Sequence, residues 1–520
     1  MKTIIIRGIA VPVEKAFRDG LDYSVESFVR DRLGTSEFEY AGLCGKSIDA
    51  RRKTNIKYVV SAKARVDDGF DAVGRGFVVL QKPARDVLIK GGKTLVNPPV
   101  IAGSGPCGLF CAYLLARNGF SPLVIERGEA IDERKKSVRD FWKTGNLDPE
   151  SNVQFGEGGA GTFSDGKLVT RINDPRCSLI EEILMENGAP ASISYEAKPH
   201  IGTDILSNVI KNIRDEIISL GGKFQYDSRL SGVKVRDGVL KAVEVNDEYE
   251  IRTDVLVLAV GHSARDTYRM LLDAGVEMEQ KPFSAGLRIE HLQTDVNYSQ
   301  WGEQSKYMDE AAEYSLNQRT GNRTAYTFCM CPGGVVVNAS SEQGFLSING
   351  MSYSKRKGRN ANSAWVAEVR PSDLGSSDPM AGVEFQRRME EAAYIAGGGG
   401  FTAPVQLLGD FIKGRTGSRL GRVRPAFTGR TAFAELGGVL PEFISGSLRM
   451  SLGGFAGKLP FFIDEEAVLT GCETRTSSPL RIKRNEDFIS VSHNGVYPAG
   501  EGAGYSGGIM SSAADGLKVA

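Results

Sequence analysis

The sequence predicts an α/β protein of several domains, and three observations carry that expectation. The chain has 520 residues, more than one domain usually holds. Its 62 glycines fall in clusters rather than evenly. A strand, glycine turn, helix and second strand follow one another from residue 100, and a related glycine-rich segment returns only near residue 500.

Composition narrows the function classes. Lysine plus arginine total 64 and aspartate plus glutamate total 64, with 41% hydrophobic residues, which is ordinary globular usage. A balanced charge gives no overall pull toward a phosphate backbone or an anionic bilayer, so a nucleic-acid partner is disfavoured. The start has an apolar core of only Ile4, Ile5 and Ile6, and no stretch approaches the roughly 18 apolar residues of a membrane span. The expectation is a soluble, cytoplasmic protein with no membrane partner. Seven cysteines (Cys44, Cys107, Cys111, Cys177, Cys329, Cys331, Cys472) suit a reducing compartment. No Cys/His grouping has zinc spacing, so no metal is expected. Oligomeric state leaves no mark in the sequence.

Residues 1–95 read as a small α/β unit: a strand at 3–7, a helix near 24–32, and an extended run at 56–62. Gly91, Gly92, Pro98 and Pro99 then punctuate the chain as a linker would. Beyond them, Val100, Ile101 and Ala102 lead into Gly103-Ser104-Gly105-Pro106-Cys107-Gly108, and apolar residues at helical spacing continue to Gly119. Gly103 makes the tight turn, Gly105 lets a pyrophosphate approach the backbone, and Gly108 lets the helix pack on the strand. Pro106 pre-sets the first helical turn, whose free N–H groups face the phosphates. Glu126 closes the next strand 23 positions after Gly103, where a carboxylate can accept both ribose hydroxyls. Arg127 follows it. The order of these features makes a Rossmann-like dinucleotide site.

Three further segments choose between FAD and NAD. Gly156 to Thr162 form a second glycine-dense loop, in which Gly158, Gly159, Gly161 and Thr162 can lay bare amides against a ligand; the alternative is a mobile surface loop. An apolar strand at 254–260 ends in Gly261-His262. A last strand leads through Gly500 and Glu501 to a final helix opening at Gly507, Gly508 and Ile509. An NAD-only domain needs no such distant return. FAD domains of the glutathione-reductase type do, because the helix N-terminus offers partial positive charge to the reduced flavin.

Several strings then resemble one family, the bacterial and plastid FAD-dependent proteins known as NAD/FAD-utilising dehydrogenases, an uncharacterised branch of the glutathione-reductase-like flavoproteins with its own C-terminal domain. The strings are QFGEGGAGTFSDGKL at 154–168, KPHIGTD at 198–204, KPFSAGLRIEH at 281–291, CMCPGG at 329–334, TRTSSPLRI at 474–482 and YPAGEGAGYSGG at 497–508. The resemblance covers most of the chain. It implies an α/β fold with a Rossmann-like FAD-binding domain of the three-layer ββα type, an inserted mixed α+β substrate or cap domain, and the small N-terminal α/β domain. The expected boundaries are 1–95, 96–274, 275–465 and 466–520. Position 501 is Glu where related folds carry Asp. No second glycine fingerprint with its own acid lies between 270 and 460, so NAD(P)H, if it is the reductant, docks transiently.

Candidate chemistry in the inserted region rests on fewer signals. Strands at 324–330 and 335–339 are expected to form a hairpin, which places Cys329 and Cys331 on one face as a redox pair or flavin-adjacent thiol; the alternative is two small buried side chains. His291 reads as an acid or base tuned by Glu290 or Arg288, or as a packed histidine. His200 precedes a helix capped by Thr203 or Asp204. Arg475, Ser477, Ser478 and Arg481 form a cluster suited to an anionic substrate, or a salt-bridged loop. Lys355, Arg356, Lys357 and Arg359 read as a solvated loop. The leading function is an FAD-dependent oxidoreductase passing hydride between flavin N5 and a small-molecule substrate. The alternatives are an FAD protein acting on RNA and a non-catalytic flavin-binding regulator.

Overall fold

The computed structural model describes residues 1–80 and 95–520; Gly91 and Gly92 of the expected linker lie outside them. The N-terminal unit is a four-stranded antiparallel sheet in the order Glu39–Asp49, Lys57–Val66, Lys2–Pro12, Val78–Val79. Along Lys57–Val66 the residues Tyr58, Val60, Ala62, Ala64 and Val66 are buried in strict alternation, the period that one covered sheet face imposes. Helix Leu21–Leu33 meets that core with Val25, Val29 and Leu33, spaced one turn apart. Both expected strands and the helix are present, each longer than expected. Strand Glu39–Asp49 was not expected: Gly42, Gly45 and two register shifts blur its alternation.

The central unit has three layers. Five parallel strands run in the order Val496–Pro498, Leu256–Leu258, Val100–Ala102, Leu123–Ile125, Lys223–Gln225. Ile101, Val124 and Val257 point to a helical layer, in which Pro106–Arg117 packs against the final helix Ile509–Val519. Val100, Ala102, Ile125, Leu256 and Leu258 point the other way, onto an antiparallel sheet of Leu230–Arg236, Val239–Val245 and Tyr249–Arg252. Alternation of side chains on short apolar strands thus builds both cores at once.

The inserted region carries a seven-stranded sheet in the order Asn317–Thr320, Arg323–Cys331, Asn360–Val369, Phe283–Leu292, Val468–Glu473, Ala403–Leu407, Thr431–Phe433. Two expectations change here. Val468–Glu473 lies beside Phe283–Leu292, so the cap sheet runs past the boundary at 465 and takes a strand assigned to the C-terminal return. The expected hairpin is absent: Arg323–Cys331 pairs with strands of the large sheet, whereas Val335–Asn338 pairs with Ile348–Met351. Gly333, at φ +50°, lies so close to the Arg356 carbonyl that no Cβ fits, and Gly358 donates to its carbonyl at 3.0 Å. The chain therefore turns out of the large sheet instead of folding back along it. Among the described residues no helix is long and apolar enough to cross a membrane.

Candidate functional site

The site forms at the carboxyl ends of the parallel strands. Gly103 sits at φ +103°, and a Cβ there would run into the Ala259 carbonyl; one on Gly108 would run into the Gly103 carbonyl. These two glycines are demanded by packing within the fold. Gly105 differs: its backbone is extended, and the nearest neighbour of an added Cβ is the Gly159 Cα at 3.8 Å. Helix Pro106–Arg117 starts at Gly105 without a side-chain cap, leaving its first-turn amides for an outside acceptor.

The glycine loop at 156–162 closes over this turn. Gly156, Gly158 and Gly159 all have positive φ, and the loop wraps a fully buried guanidinium. Arg134 donates to the carbonyls of Asn152, Val153, Gly156, Glu157 and Gly159 at 2.6–3.1 Å. Arg134 was missed in the sequence because it lies in the charged run DERKK. It shares a helix face with Ile131, Val138 and Phe141, a spacing that marks it as inward-facing. A Cβ on Gly161 would lie 3.5 Å from Ile509 and 3.7 Å from Pro106, and Thr162 accepts from the Thr203 hydroxyl at 2.5 Å through its carbonyl. Pro106, Gly158, Gly161 and Ile509 share one apolar cavity with Leu109 and Phe110. Three segments spread over about 400 residues of sequence meet here.

Glu126 acts differently from the expectation. One oxygen accepts Ser104 N–H at 2.8 Å and Ser104 Oγ at 2.7 Å; the other accepts Gly156 N–H at 2.9 Å and Gly128 N–H at 3.2 Å. Those donors fill the lone-pair directions of a carboxylate, so Glu126 ties three loops together rather than standing open for ribose hydroxyls. Arg127 is also engaged: it donates to Glu150 at 2.9 Å and to both oxygens of Asp266 at 2.9 and 3.1 Å, stacked on Phe155.

On the return segment, Gly500 N–H donates to Asp515 at 2.7 Å, and Asp515 is held by both arms of Arg484. Neither partner was singled out in the sequence. Gly261 and Gly502 stack so closely that a Cβ on Gly502 would meet the Gly261 backbone at 2.5 Å. Glu501 Oε2 accepts Gly508 N–H at 3.4 Å, its Oε1 lies 3.6 Å from His262 Nδ1, and His262 Nε2 is buried without a partner. Burial pushes the Glu501 carboxyl up to about 7. Burial, then Arg475 and Arg265, push His262 down to about 3. Space stands open beside Gly261, Gly507 and Gly508.

Other expected residues lie elsewhere. His291 is not an available acid or base: its ring packs against Phe461, Phe462 and Tyr314, its Nε2 meets the Phe462 carbonyl at 3.2 Å, and burial pushes it down to about 4. Arg475 is not free for an anion, because Glu390 takes Nε at 3.1 Å and Nη2 at 3.0 Å while Ser341 takes Nη1. Arg265 grips the same Glu390 from the other side. Arg481 pairs with Glu279 and lies over Tyr505. Ser478 donates to the carbonyls of Leu480 and Gly502, and Ser477 is half-buried, so Arg475, Arg481 and Ser478 each turn to a different partner. Helix Thr203–Ser219 starts at Gly202 rather than on a side-chain cap; Asp204 reaches instead to Ser354, whose carbonyl meets His200 Nε2. Arg356 leaves its basic run to pair inward with Asp165 and Glu313, which removes it from any surface for nucleic acid. Cys329 and Cys331 lie at a bulge where Phe328 opposes Ala364 and Cys331 opposes Asn362, and Cys329 has φ +42°. Strand alternation is broken there. Among the described residues no His/Cys/Asp/Glu group could hold a metal.

Comparisons with known proteins agree with this geometry. Residues 282–476 match the family "FAD-dependent protein, C-terminal domain-like", and residues 101–138 match a NAD(P)-binding Rossmann-like domain. An uncharacterized protein of Clostridium beijerinckii is 47% identical over 482 residues, 91% of this chain and 90% of that one. Among solved structures, CtdE in complex with FAD covers 81% of this chain and 82% of its own at 12% identity and a TM-score of 0.31. Halogenase PltM in complex with phloroglucinol and FAD covers 81% and 67% at 9% identity and 0.34; similarities of that size carry no argument about this chain. The identity to the clostridial protein does, and with the C-terminal match at 282–476 it shows that the chain belongs to the family of FAD-dependent proteins marked by that domain.

Proposed function

We propose that this protein is an FAD-dependent oxidoreductase that transfers hydride between flavin N5 and a small-molecule substrate taken up between the cap and the FAD-binding unit. The observation that carries the reading is the convergence of Pro106, Gly161 and Ile509, which joins the fingerprint turn, the second glycine loop and the final helix in one place. The residues fit the cofactor. Gly105 leaves backbone open where a pyrophosphate would lie, and Gly261, Gly507 and Gly508 leave space toward the flavin end. Gly103 and Gly108 shape the turn, and Gly158, Gly159 and Thr162 line the second loop.

When bound, FAD supplies the two-electron chemistry. The chain's own residues set its surroundings. Gly500 is fixed by Asp515, so the return turn stays in register with the last helix. Glu501, held neutral by burial up to about pH 7, and His262, neutral above about 3, leave the uncapped N-terminus of Ile509–Val519 as the positive pole at that end. The unpartnered His262 Nε2 is the polar atom placed to meet a bound group. NAD(P)H serves as a transient reductant in this reading, since residues 282–476 build the cap sheet rather than a second nucleotide fold.

Anaerobic addition of NADH and then NADPH, with the oxidised flavin absorbance followed, tests the reading. Bleaching within seconds is the expected result. A yellow protein bleached by dithionite alone would move the electron source to an organic substrate, and a protein unable to take up FAD would overturn the proposal.

A further inference from the structure

The cap holds a pair of thiols that FAD binding does not use. Cys44, Cys107, Cys111, Cys177 and Cys472 are all pushed up by burial, as inert thiols are. Cys329 and Cys331 are set apart by geometry. Between Phe328 and Cys331 the strand carries one residue more than its partner, and Cys329 takes the left-handed backbone at φ +42° that side chains other than glycine seldom adopt. Such a bulge re-aims side chains. In a regular strand residues i and i+2 stand about 6.6 Å apart, near the far edge of the separations a disulfide spans. At this bulge the Cys331 thiol turns back to donate to the Cys329 carbonyl at 3.5 Å.

Positive charge surrounds them. The fully buried Arg288 donates Nη2 to the Cys329 carbonyl at 2.6 Å and places it 3.6 Å from Cys331 Sγ, while Nη1 is anchored on Glu473 at 2.6 Å. Gly350 leaves the space that this guanidinium fills, since a Cβ there would strike it. Lys167, which follows the glycine loop of the FAD-binding unit, donates to the Met330 carbonyl between the two cysteines. The neighbouring Cys331, then Arg288 and Lys167, outweigh burial and hold the Cys329 thiol below its ordinary range, while Cys331 is pushed up. Cys331 is buried and Cys329 is partly exposed. Lys167 belongs to the FAD-binding unit, so its bond to the Met330 carbonyl places the pair where the cap faces that unit.

We propose that Cys329 and Cys331 form a dithiol/disulfide couple that exchanges two electrons with the bound flavin, and that the outside substrate is a thiol or disulfide that meets Cys329. The exchange rests on the flavin reading above. In the oxidising direction the Cys329 thiolate and Cys331 thiol lose two electrons and one proton as the S–S bond forms. Oxidised flavin takes up the same two electrons and one proton. In the opposite direction the regenerated Cys329 thiolate attacks a disulfide substrate, and Cys331 displaces the mixed disulfide, releasing the substrate as two thiols.

The test begins with the holoprotein treated with diamide, alkylated with iodoacetamide and weighed. The wild type should lose two alkylatable thiols, with the peptide holding residues 329–331 about 2 Da lighter, whereas Cys329→Ser and Cys331→Ser should lose none. Anaerobic dithionite titration of the diamide-treated holoprotein should consume four electron equivalents per flavin in the wild type and two in either variant. Both thiols still alkylated after diamide, or a wild type that takes only two electrons, would overturn the couple. A colourless protein that nevertheless forms the bridge would overturn the flavin exchange and the reading beneath it, and the bridge itself would be read from mass alone. If Cys331→Ser misfolds, Cys331→Ala serves as the same control at that buried position.

Discussion

The glycine cradle and the cap solve the same problem, holding a reactive group in place, with opposite materials. In the cradle the working parts are backbone: Gly103, Gly105, Gly108 and the loop around Gly158 bring main chain to within van der Waals distance of main chain. In the cap they are buried charges. Glu390 lies between Arg265 and Arg475, with Glu342 at the rim, and Arg288 lies between Glu473 and the Cys329 carbonyl. A backbone cradle fails when a side chain is added. A buried ionic clamp fails when one partner is removed, because the others are left charged without compensation.

That contrast orders the expected effects. Glu390→Ala should be the most damaging, at roughly 3–5 kcal/mol of stability, read by denaturant unfolding; a loss under about 1 kcal/mol would show that Arg265 and Arg475 find other partners. His291 comes next. Its folded pKa, about 4, lies below the ordinary 6.5, so the unfolded chain binds more protons between those values. The stability it contributes is present above pH 6.5 and is lost as pH falls toward 4, to a total of about 3 kcal/mol. His291→Phe should flatten that part of the pH profile, and an unchanged slope would assign the acid sensitivity to other groups. Gly105→Val should weaken FAD binding by about 100-fold, roughly 2.7 kcal/mol, with the melting temperature of the apoprotein held, since its backbone is ordinary. Gly103→Val should lose both, because of its positive φ and the Ala259 carbonyl. Arg481→Ala should change stability by less than about 1 kcal/mol, its bond to Glu279 being 3.4 Å long and exposed.

The same contrast explains what the sequence disclosed. Gly103, Gly108, Gly161 and the 500–509 segment were legible because a requirement on the backbone leaves glycine at a fixed spacing from strand and helix signals. Side-chain partnerships leave no such local mark. Nothing near Arg475 announces Glu390, 85 positions away, and nothing near Glu126 announces that Ser104, Gly128 and Gly156 would fill its lone pairs. Arg134 lies between these cases: its place on the apolar stripe of Ile131–Thr144 was readable, but its neighbours in the charged run concealed it. The missing hairpin after Cys331 follows from Gly333 against Arg356, a contact across 23 residues, whereas alternation alone described the strands on either side.

The central claim is that FAD is held where the fingerprint turn, the second glycine loop and the last helix meet. Equilibrium titration of FAD into apoprotein, followed by quenching of flavin fluorescence, compares the wild type with Gly105→Val and Gly161→Val. The account predicts one FAD per chain for the wild type and about 100-fold weaker binding for each variant, with melting temperatures of the apoproteins unchanged. Wild-type affinity in both variants would contradict it.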